Sequence, residues 1–156
     1  MKTTAGSSAN KMPSTMTEQL TPNFRRSEFV CRCGCGFDSI AAFLVTGLQV
    51  LRDSIQRPVE VLSGCRCPAH NAAVGGAVHS RHLLGQAADI KAPDMTAREV
   101  YAAAAKISQF RGFGVDDERG FLHVDVRETT ARWCYHHGRE TAWHGAEEPT
   151  GGQHAG

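Results

Sequence analysis

The sequence predicts an α+β fold, a small and mainly antiparallel sheet flanked by helices. Segments with the hydrophobic period of a helix occur in the same short chain as segments that alternate like strands. Two of the strand-like segments flank the turn-rich run DDERG, which is the pattern of a hairpin. Because strands and helices must share one core in a chain of 156 residues, we expect a single α+β domain.

Both ends of the chain have the composition of disordered segments. Residues 1–23 are rich in Ser, Thr and Asn, and they lack the apolar run of a secretory signal. Residues 145–156 are similarly polar. We therefore predict a disordered leader over 1–23, a folded domain over 24–144 and a disordered tail over 145–156.

The first half of the domain predicts a helix, a strand and a loop. Apolar residues spaced three and four apart over 40–55 indicate an amphipathic helix, with Asp38 or Ser39 as its N-cap and Pro58 beyond its end. The run VEVLSG then predicts a strand. The run CPAHNAAVGGA predicts a loop or a single helical turn, closed by its two adjacent glycines.

The second half predicts a strand, a helix and a hairpin. The run GQAADIKA favours a strand that begins near Gln86. Thr96 with Glu99 three residues later forms a capping box, which indicates the start of a helix. Apolar and polar residues alternate over 121–127 after the turn-rich run, so this segment is the second strand of the hairpin.

Charge and hydropathy argue against two classes of partner. The formal net charge is +1 and no basic run resembles a polyanion-binding patch, so we expect no nucleic-acid partner. The longest apolar run, IAAFLVTGLQVL, is too short to span a bilayer and is interrupted by polar residues and glycine. We therefore expect no membrane insertion.

The cysteines fall in two C-x-C clusters and one isolated position. Structural zinc sites more often use C-x2-C or longer spacing, so reduced or packed cysteines are the favoured interpretation. One or two disulfides from the first cluster to Cys65 or Cys67 are the second choice, and a second metal is the third. The six cysteines are Cys31, Cys33, Cys35, Cys65, Cys67 and Cys134.

Three residues have the chemistry of a catalytic metal site, namely His82, Asp89 and His123. A catalytic zinc takes three nitrogen or oxygen ligands and keeps a fourth position open for water, whose pKa it lowers while it polarises a carbonyl. His82 precedes the strand that carries Asp89, and strand alternation puts His123 and Asp125 on one face. Spacing alone leaves open a solvated turn with ordinary hydrogen-bonded histidines.

Neighbouring histidines and both tryptophans receive simpler interpretations. His70 and His79 flank the predicted metal loop, and solvated loop positions are favoured over a place in the cleft. Trp133 and Trp143 are predicted to close the core or to cover an edge of the sheet rather than to bind a ligand.

A longer pattern of motifs resembles the zinc D-alanyl-D-alanine carboxypeptidase family. It consists of SGCRCPAHNAAVGGAVHSRHLLGQAADI, followed by GFLHVDVR and ARW. That family includes bacterial and phage murein peptidases, and it shares its fold with vancomycin-resistance dipeptidases and the hedgehog signalling domain. The resemblance covers about residues 24–133. The family motifs S-x-H-x6-D and H-x-D are met by Ser80, His82 and Asp89 and by His123 and Asp125.

The resemblance implies a fold like that of the hedgehog domain and the DD-peptidases, with zinc held by His82, Asp89 and His123. It implies that Arg66 binds the substrate carboxylate or the developing oxyanion, a role suited to its forked donors. A surface salt bridge is the alternative for Arg66. Ser80 is predicted to bind substrate, to orient the loop or to donate a hydrogen bond to a ligand, with a plain turn serine as the alternative.

The position of the general base in this sequence differs from its position in better-known relatives. Several of them place an acid or a second His two or three residues before the final ligand, where this chain has Phe and Gly. We predict Asp125 as the residue that moves the proton from water to the leaving amine, with Asp117 or Glu118 as the runner-up. Asp125 could equally hydrogen-bond a histidine, with Arg127 as its ion-pair partner.

The resemblance implies a zinc metallopeptidase that hydrolyses peptide bonds in peptidoglycan stem peptides, as a carboxypeptidase or an endopeptidase. We also expect a monomer. The alternative is a zinc-containing, non-catalytic module of the same fold that binds the cell wall or a protein, an idea favoured by the missing upstream acid. Without a signal peptide, we expect synthesis in the cytoplasm and action at the bacterial cell wall, with phage or prophage delivery as an endolysin one route.

Overall fold

The structure, a computed structural model, describes residues 18–145. Within them, strand β1 (Gln19–Thr21) pairs antiparallel with β2 (Phe24–Arg25). Strand β1 belongs to the stretch predicted as a leader, so the regular structure begins a few residues before Phe24. The predictions for residues 1–17 and 146–156 lie outside the described residues.

A six-stranded sheet forms the centre of the fold. Its strand order is β3-β4-β6-β5-β7-β8, and every neighbouring pair is antiparallel except β5 and β7. The predicted hairpin is confirmed, because β5 and β6 pair antiparallel across the DDERG turn. The strands are β3 (Glu60–Ser63), β4 (Ala87–Lys91), β5 (Gly112–Asp116), β6 (Phe121–Asp125), β7 (Ala131–His136) and β8 (Arg139–Ala142).

Within residues 18–145, three α-helices complete the α+β architecture that the sequence predicts. They are α1 (Ala42–Ile55), α2 (Pro68–Ala73) and α3 (Ala97–Ala104). The capping box of α3 is confirmed: Thr96 Oγ1 accepts from the Glu99 amide at 3.1 Å, and Glu99 Oε2 accepts from the Thr96 amide at 2.7 Å. Both N-terminal donors are therefore satisfied by side chains.

The start of α1 differs from the prediction. Its N-cap is Ala41, with extended backbone and no side-chain cap, rather than Asp38 or Ser39. The Ala41 amide donates to the Gly85 carbonyl at 2.8 Å, so residues just before the helix are held against the loop that follows His82. A long-range backbone contact thus overrides the local capping preference.

The two faces of the sheet have different roles. Side chains that alternate along β4, β5 and β6 enter a core shared with α1 and α3, among them Ile90, Val115, Leu122 and Val124. Phe24 and Phe29 are buried in the same core. The opposite face therefore carries the remaining alternate residues, which include Asp89 and His123. No helix in residues 18–145 is long and apolar enough to cross a membrane.

Candidate metal centre

The fold brings His82, Asp89 and His123 together on the sheet face away from the core. Asp89 on β4 and His123 on β6 are direct cross-strand partners. His82 comes from the 3-10 turn Arg81–Leu84, which ends at Gly85 in the left-handed region with φ of 68°. A Cβ at Gly85 would also collide with the Ser39 carbonyl, so this tight passage requires glycine.

The ligand atoms have the separation that a tetrahedral metal needs. Asp89 Oδ1 lies 3.3 Å from His82 Nε2 and 3.1 Å from His123 Nδ1. Metal bonds of about 2.0–2.1 Å at a tetrahedral centre would place ligand atoms about 3.3 Å apart. Three ligand atoms of the types N, N and O therefore match a zinc site with room for a further ligand.

In each histidine, the ring nitrogen that points away from the candidate metal position forms a hydrogen bond. His82 Nδ1 lies 2.7 Å from the Gly64 carbonyl, to which it donates, and this leaves Nε2 free to bind a metal. His123 Nε2 lies 2.8 Å from Asp125 Oδ2, which leaves Nδ1 facing Asp89. Hydrogen bonds of this kind set the tautomer and the ring orientation of histidine ligands. Both rings are thus organised for a cation before one binds.

The electrostatics of the site favour a positive charge between the carboxylates. Burial by itself lowers the pKa of His123, but hydrogen bonds to Asp125 and Asp89 outweigh it and raise that pKa to about 9. Burial lowers the pKa of His82 below its ordinary value. Burial opposes ionisation of Asp89, yet the two histidines hold the pKa of that carboxyl well below its usual range.

Asp125 lies behind His123 rather than in front of the site. It is fully buried, and Oδ2 accepts from both His123 Nε2 and Arg127 Nη2, the latter at 2.7 Å. Its Oδ1 accepts from Arg127 Nε at 2.7 Å. Since it contacts the nitrogen of His123 that points away from Asp89, Asp125 is badly placed for the predicted role of base. This geometry corresponds to the other role that the sequence left open for Asp125, in which it hydrogen-bonds a histidine and pairs with Arg127.

The runner-up acids are also directed elsewhere. Asp117 pairs with Arg98, with 2.8 Å between Oδ2 and Nη2. Glu118 pairs with His136, with 2.9 Å between Oε1 and Nδ1. Neither acid lines the cleft in front of the metal ligands. Within the described residues, Glu140 on β8 is the one acid besides Asp89 that lines it.

Arg66 lies beside the candidate ligands. Its Nη1 donates to Asn71 Oδ1 at 2.9 Å, and its Nη2 lies 3.5 Å from Asp89 Oδ2. The Asn71 amide in turn donates to the Ala77 carbonyl at 2.9 Å. A Cβ at Gly76 would overlap Asn71, so the glycine leaves room for this support. Asn71 was not identified from the sequence, since a loop asparagine carries no distinguishing pattern.

Ser80 acts locally as a helix cap. Its hydroxyl accepts from the His82 amide at 3.2 Å and so fixes the start of the 3-10 turn. This is the loop-orienting role among those the sequence left open, and Ser80 also lines the cleft. His70 and His79 line the cleft as well, and His79 is exposed to solvent as the sequence predicted.

The cleft, of about 1120 Å3, has an aromatic wall that the sequence did not indicate. The Trp133 and His123 ring centroids lie 5.1 Å apart, so Trp133 faces the site instead of closing the core. Tyr135 on the same strand also lines the cleft. Trp143, by contrast, packs on Tyr101 with 5.0 Å between ring centroids, as an aromatic of the core would.

Strand pairing explains why Trp133 reaches the metal ligands. Gly114 on β5 lies between His123 on β6 and Trp133 on β7 in the register of the sheet. A Cβ at Gly114 would come within 2.5 Å of Trp133 Nε1, so the glycine leaves a gap into which the indole fits. The parallel pairing of β5 with β7 joins distant segments and leaves no local signal in the sequence.

Comparison with protein-family models matches residues 22–125 to the model described as peptidase M15. The match spans two thirds of the 156-residue chain and contains all three candidate ligands, Arg66 and Ser80. It ends at Asp125, before the strands that carry Trp133 and Glu140. A search of curated proteins found no match.

Proposed function

Because the chain belongs to the peptidase M15 family, whose members generally use zinc, we propose that it hydrolyses peptide bonds in the stem peptides of bacterial peptidoglycan. The observation that carries the proposal is the convergence of His82, Asp89 and His123, within reach of one cation and beside Arg66, in an open cleft. When bound there, zinc supplies an acidified water and a polarised substrate carbonyl.

The charge of the cleft supports an anionic peptide as substrate. Six arginines and one lysine line it, whereas its acids are Asp89 and Glu140. Peptidoglycan stem peptides carry free carboxylates, at the terminal D-Ala and on side chains, which such a lining attracts. We propose that Arg66 receives the carboxylate next to the scissile bond or the oxygen of the scissile carbonyl, because its guanidinium is already held in place by Asn71.

The proton transfer needs an acid that faces the substrate, and we assign it to Glu140. Its strand partner is Tyr135, and both side chains line the cleft. Asp125 is then a positioning residue, which orients His123 through Nε2. In this arrangement Glu140 takes the proton of the attacking water and returns it to the leaving amine.

The test is mass spectrometry of products from two substrates, a peptide ending in D-Ala-D-Ala and purified cross-linked muropeptides. Loss of the terminal D-Ala indicates a carboxypeptidase, and conversion of dimers to monomers indicates an endopeptidase. We expect Glu140→Gln to lower kcat by about 10²–10⁴-fold, the usual contribution of general acid–base catalysis. Glu60→Gln, at an exposed strand acid that does not line the cleft, is the matched control and should leave kcat unchanged.

A second candidate function is a zinc-containing module that binds the cell wall without cutting it. The observation that favours it is that no acid in residues 18–145 other than Asp89 and Asp125 contacts the candidate ligands. Zinc-loaded protein that binds sacculi but releases no product from either substrate would support this function. Product release that stops on chelation and returns with added zinc would exclude it.

We also propose that the protein acts at the bacterial cell wall, after delivery by a route such as a phage lysis system. The substrate class supports this location, because stem peptides occur in the wall. Lysis of chloroform-permeabilised cells by added protein, compared with an Asp89→Ala variant, tests whether it reaches its substrate there.

A further inference from the structure

Four cysteine sulfurs converge at a second place, separate from the candidate metal centre. Three come from one loop, Cys31, Cys33 and Cys35, and the fourth is Cys67, which precedes α2. All four sulfurs lie within 4.8 Å of one another. The separation is 3.5 Å between Cys31 and Cys33 and 3.6 Å between Cys33 and Cys67.

Two glycines allow closely spaced cysteines to point to one centre. Gly34 and Gly36 both have φ of +90°, a region that L side chains rarely adopt. A Cβ would meet no atom at either position, so the backbone conformation and not the available space requires glycine. The loop is closed by a hydrogen bond of 2.8 Å from the Cys31 amide to the Phe37 carbonyl.

Backbone amides surround the sulfurs as donors. The Cys67 amide donates to Cys31 Sγ, the Phe37 amide to Cys35 Sγ and the His70 amide to Cys67 Sγ, each at 3.4 Å. Amide donors stabilise the anionic form of an acceptor, and the thiolate is the form in which cysteine binds metals. Three of the four sulfurs in the cluster therefore have an environment suited to thiolate.

We propose that Cys31, Cys33, Cys35 and Cys67 bind a structural zinc ion, separate from the candidate centre at His82. A tetrahedral zinc with Zn–S bonds of about 2.3 Å has sulfurs about 3.8 Å apart, close to the separations observed here. A disulfide requires about 2.05 Å between sulfurs, and it would pair them two by two instead of gathering four around one point. Four thiolates fill the coordination sphere, which makes the site structural and leaves no position for substrate.

All six cysteines are free, as the favoured interpretation of the sequence expected, and that interpretation ranked a second metal last because of the C-x-C spacing. The two C-x-C motifs do not each provide a ligand pair. Cys65 is buried in the core and takes no part, whereas Cys67 joins the three ligands of the first cluster. The site is therefore assembled from a glycine-rich loop and one distant cysteine.

A zinc ion here would link the loop to the segment that carries Arg66. Cys67 is the N-cap of α2, and Arg66 precedes it directly, with its amide bonded to the His82 carbonyl at 3.0 Å. Coordination of Cys67 would restrain the backbone on which Arg66 and Asn71 are mounted. The site therefore contributes to the geometry of the cleft without contacting substrate.

The test is metal content and cobalt spectroscopy of full-length protein, purified under a non-chelating reductant. The wild type should hold about two zinc ions per chain, and both His82→Ala/His123→Ala and Cys33→Ser/Cys35→Ser about one. Cys33 and Cys35 are exposed, so their replacement leaves the core intact. Cys65→Ala is the control for a cysteine outside the cluster and should keep both ions.

Cobalt substitution identifies the ligands without reference to activity. The histidine double variant should retain the intense thiolate-to-cobalt charge-transfer absorption, and the Cys33→Ser/Cys35→Ser variant should lose it. The proposal is overturned if the wild type shows no such absorption, if the serine variant binds as much zinc as the wild type, or if intact mass shows disulfides among these cysteines under reducing purification. None of these measurements depends on the protein being a peptidase.

Discussion

Replacement of Asp125 by Asn tests the role that the structure assigns to this buried carboxylate. The substitution keeps the size of the side chain and removes the charge that holds His123 Nε2 at 2.8 Å. Loss of such a partner behind a histidine ligand typically lowers metal affinity by about 10–100-fold. At about 1.4 kcal/mol per tenfold, this is about 1.4–2.8 kcal/mol of zinc binding free energy.

The same substitution also weakens the fold, and a control separates the two effects. Asp125 loses its charged bonds to Arg127, and hydrogen bonds to charged groups contribute about 1.5–3 kcal/mol each. Asp116→Asn is the matched control, because Asp116 is equally buried and accepts from Arg119 Nε at 2.8 Å, but contacts no candidate ligand. Both variants should lose stability in denaturant titrations of metal-free protein, whereas Asp125→Asn alone should lose zinc affinity.

The assay is competition for zinc against a chromophoric chelator, with activity measured at saturating zinc. If Asp125→Asn binds zinc within about twofold of the wild type, the hydrogen bond from His123 to Asp125 does not organise the metal site. If zinc affinity is unchanged while kcat falls by about 10²-fold or more, Asp125 is the base that the sequence predicted. The expected result is reduced affinity, with kcat largely restored once zinc saturates the site.

Three further predictions concern separate features of the fold. Thr96→Ala removes the hydroxyl that caps α3 and should lower the free energy of unfolding by about 1 kcal/mol in denaturant titration, with unchanged zinc affinity. Gly114→Ala forces the Trp133 indole away from His123, and overpacking of this kind lowers the free energy of unfolding by about 1–3 kcal/mol. Zinc affinity should fall as well. An unchanged affinity would show that the indole does not support His123. Hydrogen bonds to Asp125 and Asp89 raise the pKa of His123 to about 9, so below that pH zinc must displace a proton from His123. The apparent affinity for zinc should therefore weaken by up to about tenfold per pH unit from pH 9 towards pH 7. Calorimetry in buffers of different ionisation enthalpy measures the released proton, and a pH-independent affinity over this interval would contradict the pKa.

Local sequence was sufficient for the features that depend on near neighbours. The period of α1, the capping box at Thr96 and the hairpin all appear in the structure, since each depends on residues within a few positions of one another. The start of α1 was misplaced because the Ala41 amide bonds to Gly85, a residue outside any local window. Alternation along β6 likewise placed His123 and Asp125 on one face, but it did not indicate which nitrogen the carboxylate would reach.

The sequence by itself predicted the α+β fold class, and its family motifs indicated His82, Asp89 and His123 as candidate metal ligands. Tertiary structure alone decided that Asp125 stands behind a ligand, that Trp133 and Glu140 border the cleft, and that Cys67 completes a cluster begun at Cys31. The physical reason is that periodicity specifies the face on which a side chain lies. Its partners across the sheet or between loops are specified by long-range pairing, which no single segment encodes.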